Sequence, residues 1–207
     1  MTAAQALCLV ASYLIGAIPT SYVAARIFGG IDLRQHGSRN LGATNLYRVL
    51  GWRFALPVGL IDAAKGAIPV LVFAPLASDS ELFALVCGIT AVVGHVYSVF
   101  VRFRGGKGVA TAAGVMLALT PIALAVSLVV WVVLVYLTGY VSVGSIVSAA
   151  IFPLAVYLLE HPAMPEILWL DVGVAAGIIW LHRSNIRRLL NGTENRFGRR
   201  AASTPRA

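Results

Sequence analysis

The sequence predicts an all-α polytopic membrane protein, a bundle of seven helical spans with its N-terminus outside, its C-terminus in the cytoplasm and a short fourth span. Three observations carry that prediction. Of 207 residues, 59% are hydrophobic and only 12% are charged, which leaves too little polar surface to cover a water-soluble globule. The apolar residues come in long runs instead of a stripe every three or four positions, so the helices they form face lipid or one another all round. The basic residues gather in a few segments between those runs.

A span needs ~20 mostly apolar residues to cross ~30 Å of hydrocarbon. The stretches that qualify run from Ala4 to Ala25, Phe54 to Leu76, Leu82 to Val101, Val109 to Leu119, Ile122 to Thr138, Val143 to Leu159 and Ile167 to His182. The first has no basic residue ahead of it and no small-residue cleavage site, so it reads as span one and not as a removed leader. The fourth is short, since Val109 to Leu119 at ~1.5 Å per residue reaches only ~16 Å. Thr120-Pro121 after it marks a turn between two crossings or the end of a half-inserted helix, because proline opposes helix continuation.

Charge decides the count. Seven crossings bring one face Arg26, Arg34, Arg39, Arg48 and Arg53, then Arg102, Arg104 and Lys107, then Arg183, Arg187, Arg188, Arg196, Arg199, Arg200 and Arg206. That is every Lys and Arg except Lys65, while the opposite loops hold Asp79, Glu81, Glu160 and Glu166. Six crossings split the set, so the positive-inside rule selects seven, with residues 1–190 as one seven-span domain and 191–207 as a basic cytoplasmic tail. The net charge of +8 serves topology and contact with anionic membrane lipid. No nucleic-acid partner is expected, because the basic residues adjoin span ends and form no aromatic-interleaved soluble surface. Cys8 and Cys87 lie in apolar runs far from other ligand-type residues and read as packing residues, so no metal or cofactor is expected.

Three polar segments remain for chemistry. The first loop, Gly30 to Arg48, packs glycines and small polar residues between arginines, which suits either a backbone nest for an anion or an ordinary solvated loop. The third, Phe103-Arg104-Gly105-Gly106-Lys107-Gly108, runs straight into span four and joins N–H donors, a helix dipole and a fixed cation, a combination that favours phosphate. It is not a Walker loop, since Gly108 follows Lys107 where Ser or Thr is required, and a flexible hairpin is the alternative. In the last, His182 and Asn185 are three apart and share a helix face. Asp62 and Lys65, also three apart, pair inside span two, either as a structural ion pair or as a functional one; His95 reads as a hydrogen-bonded packing residue, with a pocket role left open by its place seven residues before Arg102.

Together these segments resemble the bacterial membrane acyl-phosphate:glycerol-3-phosphate acyltransferases, the PlsY family, over nearly the whole chain. The resemblance rests on Ile18-Pro19-Thr20-Ser21-Tyr22, His36-Gly37-Ser38 and Gly42-Ala43-Thr44-Asn45 with Arg48; on Gly94-His95 and Gly105 to Thr111; and on His182, Asn185, Arg188, Gly192 and Glu194. It implies a multi-pass protein of the bacterial inner membrane with a cytoplasmic active site. Ser38, Arg48 and His182 are implied as catalytic, and Lys107, Gly105, Gly106, Thr44, Asn45, Ser145 and Asn185 as substrate-binding. The implied partners are glycerol 3-phosphate, acyl phosphate and membrane lipid, with docking of the soluble acyl-phosphate-producing enzyme left open. Arg39 stands where the family usually has Gly, Arg104 where it often has Lys, and Tyr97-Ser98 where it often has Phe-Pro.

An acyl phosphate is already activated, so the expected reaction is direct transfer to the sn-1 hydroxyl, aided by proximity and charge stabilisation. An acyl-serine on Ser38 with His182 as base is the variant. The rival from another class is a transporter of a phosphorylated solute, against which stands the concentration of polar residues at one face instead of the midplane.

Overall fold

A computed structural model describes residues 1–160 and 165–197, so Arg199, Arg200 and Arg206 of the expected basic face lie outside the described residues. Thr2 opens helix α1 (Ala3–Ala17) with a capping box in which Gln5 N–H donates to the Thr2 hydroxyl and Thr2 N–H to the Gln5 side chain. The chain breaks at Ile18-Pro19, restarts as α2 (Thr20–Gly29), and stops at Gly30, whose φ of +64° is the left-handed turn that ends a helix. After a polar loop come the amphipathic α3 (Ala43–Leu50) and α4 (Trp52–Ile68), which continues through a π turn over Pro69–Phe73 to a 3-10 turn at Ala74–Leu76. Pro69 has no N–H to give the α ladder, and the wider turn accommodates it.

Ser80 caps α5 (Glu81–Val96) by accepting from Phe83 N–H. A second polar loop leads to α6 (Val109–Leu119), α7 (Pro121–Thr138) and α8 (Val141–Leu159). The Ile122 and Ala123 N–H groups at the start of α7 both donate to Glu160 beyond the end of α8, so an acid counted above as a loop charge is a helix cap. α9 (Pro165–Leu181) bends by 52° into α10 (Arg183–Leu190).

Close helix pairs form at small residues, as lipid-embedded helices require. α1 lies on α5 where Gly16 meets the Ala91 backbone and Gly94 meets Tyr13 O. α4 lies on α6 through Gly66 against Thr111 O and Gly114 against Ala63 O, and a Cβ at either glycine overlaps that carbonyl. The outer faces stay apolar and open: Leu128, Val129, Val132 and Val133 on α7 are all exposed, an inside-out pattern that suits lipid and not water.

Among the described residues, five stretches are long and apolar enough to cross a bilayer: Ala3–Gly29, Trp52–Leu76, Glu81–Val101, Pro121–Thr138 and Val141–Leu159. The bent pair α9 and α10 makes a sixth if it counts as one span. The expected fourth span is α6, an eleven-residue helix about 16 Å long that ends at Thr120-Pro121. By length alone it does not bridge the hydrocarbon, so the chain is an all-helical membrane protein with five or six candidate spans and one short apolar helix.

Candidate active site

Every residue singled out from sequence as catalytic or substrate-binding lines one cavity of about 700 Å³: Ser38, Thr44, Asn45, Arg48, Gly105, Gly106, Lys107, Ser145, His182 and Asn185. They come from the first loop with α3, the second loop, α8, and the α9–α10 bend.

Asn45, 1% exposed in the first turn of α3, organises the first wall. Its Oδ1 accepts the Ser38 N–H at 2.7 Å, and its Nδ2 donates to the carbonyls of Asn40 at 2.9 Å and His36 at 3.1 Å, with Leu33 O at 3.4 Å. That amide is committed to the loop backbone, where it holds Ser38. Gly37 fits because a side chain there would strike Asn45, and both Gly37 and Arg39 have φ near +60°. The left-handed backbone at Arg39 explains why glycine suits that position and marks the arginine here as strained.

The second wall is held by backbone bonds. The Gly105 and Gly106 N–H groups are not free for a ligand: Gly105 donates to Val96 O at 2.9 Å and Gly106 to His95 O at 3.1 Å. Those glycines are required by close approach, since a Cβ at Gly105 overlaps His95 O and one at Gly106 overlaps His95 Nε2. The unpaired amides begin with the first turn of α6, where the helix dipole favours an anion. Lys107 stands at that point.

The third wall is tied to the second by one side-chain bond, and behind that bond stands a carboxylate to which the sequence assigned no role. Lys107 Nζ donates to Asn185 Oδ1, and Asn185 Nδ2 donates to Glu194 at 2.8 Å. Glu194 is buried and also accepts from Arg188 Nε at 2.6 Å and Ser142 Oγ at 3.1 Å. His182 sits at the bend with Nδ1 bonded to Ile178 O at 2.8 Å, which makes Nδ1 the protonated nitrogen and leaves Nε2 as an acceptor. The Ser145 hydroxyl donates to Val141 O at 2.9 Å and accepts from Trp131 Nε1 at 3.2 Å.

Charge in the cavity is unbalanced toward the positive. Burial pushes the Lys107 ammonium down to about 8, Glu194 opposes that shift, and Arg188 and Arg48 reinforce it. Burial likewise lowers Arg48, with Glu194 raising it and Arg188 lowering it, yet a guanidinium remains a cation at neutral pH. Arg39, Arg48, Arg104, Lys107, Arg183 and Arg188 line the cavity against Asp62 and Asp171, and Glu194 behind it pairs with Arg188. The rest of the cavity is apolar, bounded by Met116, Leu124, Leu128, Trp131, Phe152 and Ile178, with Asp171 of α9 buried beside them. Asp171 Oδ2 has no hydrogen-bond partner among the described residues, and this acid was not singled out from sequence.

A helical membrane fold with a cation-rich cavity beside an apolar slot is suited to anionic and apolar groups together. A family model described as glycerol-3-phosphate acyltransferase matches residues 6–192, and the chain belongs to that family, in which it is an acyltransferase of phospholipid biosynthesis. Among its relatives, the glycerol-3-phosphate acyltransferase of Chlorobaculum parvum is 45% identical over 92% of this chain and 96% of that protein. The Syntrophotalea carbinolica protein of the same name is 44% identical over 91% of this chain and 95% of its own length. Two crystal structures of PlsY, an integral membrane glycerol 3-phosphate acyltransferase, share the fold. Its glycerol 3-phosphate form superposes with a TM-score of 0.87 at 38% identity over 94% of this chain and 96% of that one. Its lysophosphatidic acid form does so with 0.84 at 36% identity over 94% and 95%.

Proposed function

We propose that the protein transfers an acyl group from acyl phosphate to the sn-1 hydroxyl of glycerol 3-phosphate, giving 1-acyl-glycerol 3-phosphate and inorganic phosphate. The observation that carries this reading is the meeting of Arg48, Lys107 and Arg188 in one cavity whose basic lining residues outnumber its acids Asp62 and Asp171, beside an apolar slot. Such a site has charge enough for two phosphorylated molecules and a dry place for a fatty chain. The related structures in glycerol 3-phosphate and lysophosphatidic acid forms support the acceptor and the product.

In this mechanism Arg48 and Lys107 hold the two phosphates while Ser38 and His182 orient the hydroxyl and the carbonyl. The acceptor oxygen attacks the acyl carbon, the bond from that carbon to the phosphate oxygen breaks, and the hydroxyl proton passes to the departing phosphate. The donor is a mixed anhydride, so alignment and charge stabilisation supply most of the acceleration and no protein nucleophile is required. Thr44, Ser145, Asn185 and the Gly105-Gly106 turn complete the pocket, and Asn45 steadies Ser38.

The topology proposed with it has seven crossings, α6 serving as the short fourth, the N-terminus outside and the site on the cytoplasmic face of a bacterial inner membrane. The basic residues of both polar loops and of α10 support that orientation. There the donor can arrive by docking of the soluble enzyme that makes it, and the product stays in the leaflet. The test offers the purified protein glycerol 3-phosphate with acyl phosphate, acyl-CoA or acyl carrier protein. Lysophosphatidate formed from acyl phosphate alone is the expected result, and equal or better use of a thioester overturns the donor assignment.

A further inference from the structure

Beneath the glycine turn lies a buried ionic cluster that the mechanism above does not use. Asp62 and Lys65 of α4 are almost fully buried and pair at 2.8 Å. The Lys65 ammonium also donates to Ile18 O at 2.7 Å, the carbonyl left at the α1–α2 break, and faces His95 Nδ1 at 3.4 Å. All three of its N–H groups thus have partners. Asp62 accepts the Thr20 hydroxyl and stands 3.8 Å from His95 Nδ1. An ammonium can only donate, so His95 Nδ1 is an acceptor and its ring proton resides on Nε2. That Nε2 abuts Gly106, the residue before Lys107, and the His95 carbonyl takes the Gly106 N–H.

Holding helices together does not call for this arrangement, since apolar side chains join membrane helices without the desolvation cost of two ions. The contact that only an ion-held imidazole supplies is the one under Gly106. Resting on the reading under Proposed function, we propose that Asp62, Lys65 and His95 are positioning residues: Lys65 fixes the His95 ring, and the ring sets the height of the Gly105-Gly106 turn and so aims Lys107 at the phosphate of glycerol 3-phosphate. The network runs from the first helix break through α4 and α5 to the mouth of α6, and its Asp62 and His95 reach the cavity beside Lys107.

The experiment measures kcat and both KM values with acyl phosphate and glycerol 3-phosphate for the full-length protein. His95→Leu and Lys65→Met are expected to raise KM for glycerol 3-phosphate by about tenfold or more, with kcat and the donor KM within about twofold. His95→Asn, which restores an acceptor toward Lys65, recovers part of the loss. Gly106→Ala keeps the buried cluster intact but presses on the ring from the loop side, and is expected to give the same acceptor-specific rise. If Gly106→Ala leaves that KM unchanged, or if His95→Leu lowers thermal stability while the folded enzyme keeps its KM, the positioning role is overturned. A wild-type protein that makes no lysophosphatidate from acyl phosphate instead contradicts the proposed reaction, so the two failures are separate.

Discussion

Lys107 and Asn185 are 78 positions apart in sequence, yet the ammonium of the first donates to the side-chain oxygen of the second. This bond joins the loop before α6 to the helix after the last apolar run, and it sets the geometry of the positive end of the cavity.

The Lys107 value of about 8 gives a pH dependence. Below it the ammonium is charged and attracts phosphate; as pH rises through it the free enzyme loses that cation. The kcat/KM for glycerol 3-phosphate is expected to fall above about pH 8, while bound phosphate holds the proton and keeps kcat flatter. Lys107→Arg should move the falling limb upward by more than one pH unit, and an unmoved limb assigns the titration to another group.

Glu194 carries three hydrogen bonds at the buried junction of α8, α10 and the segment after it. Glu194→Ala takes the acceptor from Arg188 Nε and Asn185 Nδ2 and is expected to destabilise the detergent-extracted protein by about 3 kcal/mol, read as a loss of several degrees in Tm. An unchanged melting curve contradicts the anchoring role.

Asn45→Ala frees Ser38 from the only amide that fixes its backbone N–H among the described residues. Turnover should drop about 100-fold through lost alignment, while the protein remains helical and membrane-inserted. Retained turnover at half the wild-type rate shows that Ser38 needs no such support.

Asp171→Leu removes a buried carboxyl with an unpartnered oxygen beside an apolar slot. The variant is expected to unfold about 1–3 kcal/mol later in denaturant or heat, since the unpaired group costs that much. A loss of stability would reveal a partner for the carboxyl.

Local apolarity made the helices legible, and Val109–Leu119 with its stop at Thr120-Pro121 stands as read. Helical spacing likewise paired Asp62 with Lys65, whereas His182 and Asn185 line one cavity although the helix bends by 52° between α9 and α10 at His182. What joins distant segments was not legible from periodicity: the meeting of Lys107 with Asn185 followed only from family resemblance. Glu194 belongs to the residues that carry the resemblance, but nothing in the sequence assigned it a site role, because its burial comes from the chain folding back onto Ser142 of α8. The glycine turn was read for its amides because glycine gives the same signal for anion donation as for close approach. Here the close approach to His95 is what it provides.

The central claim is that three separated segments meet on one side of the membrane around shared phosphates. It is tested by placing single reporters, Ser38→Cys, Lys107→Cys and His182→Cys, in a protein with Cys8 and Cys87 replaced, and labelling sealed vesicles of known orientation with an impermeant thiol reagent. All three are predicted to react from the cytoplasmic side only and to be protected by glycerol 3-phosphate. Labelling of any one from the opposite side would contradict the account.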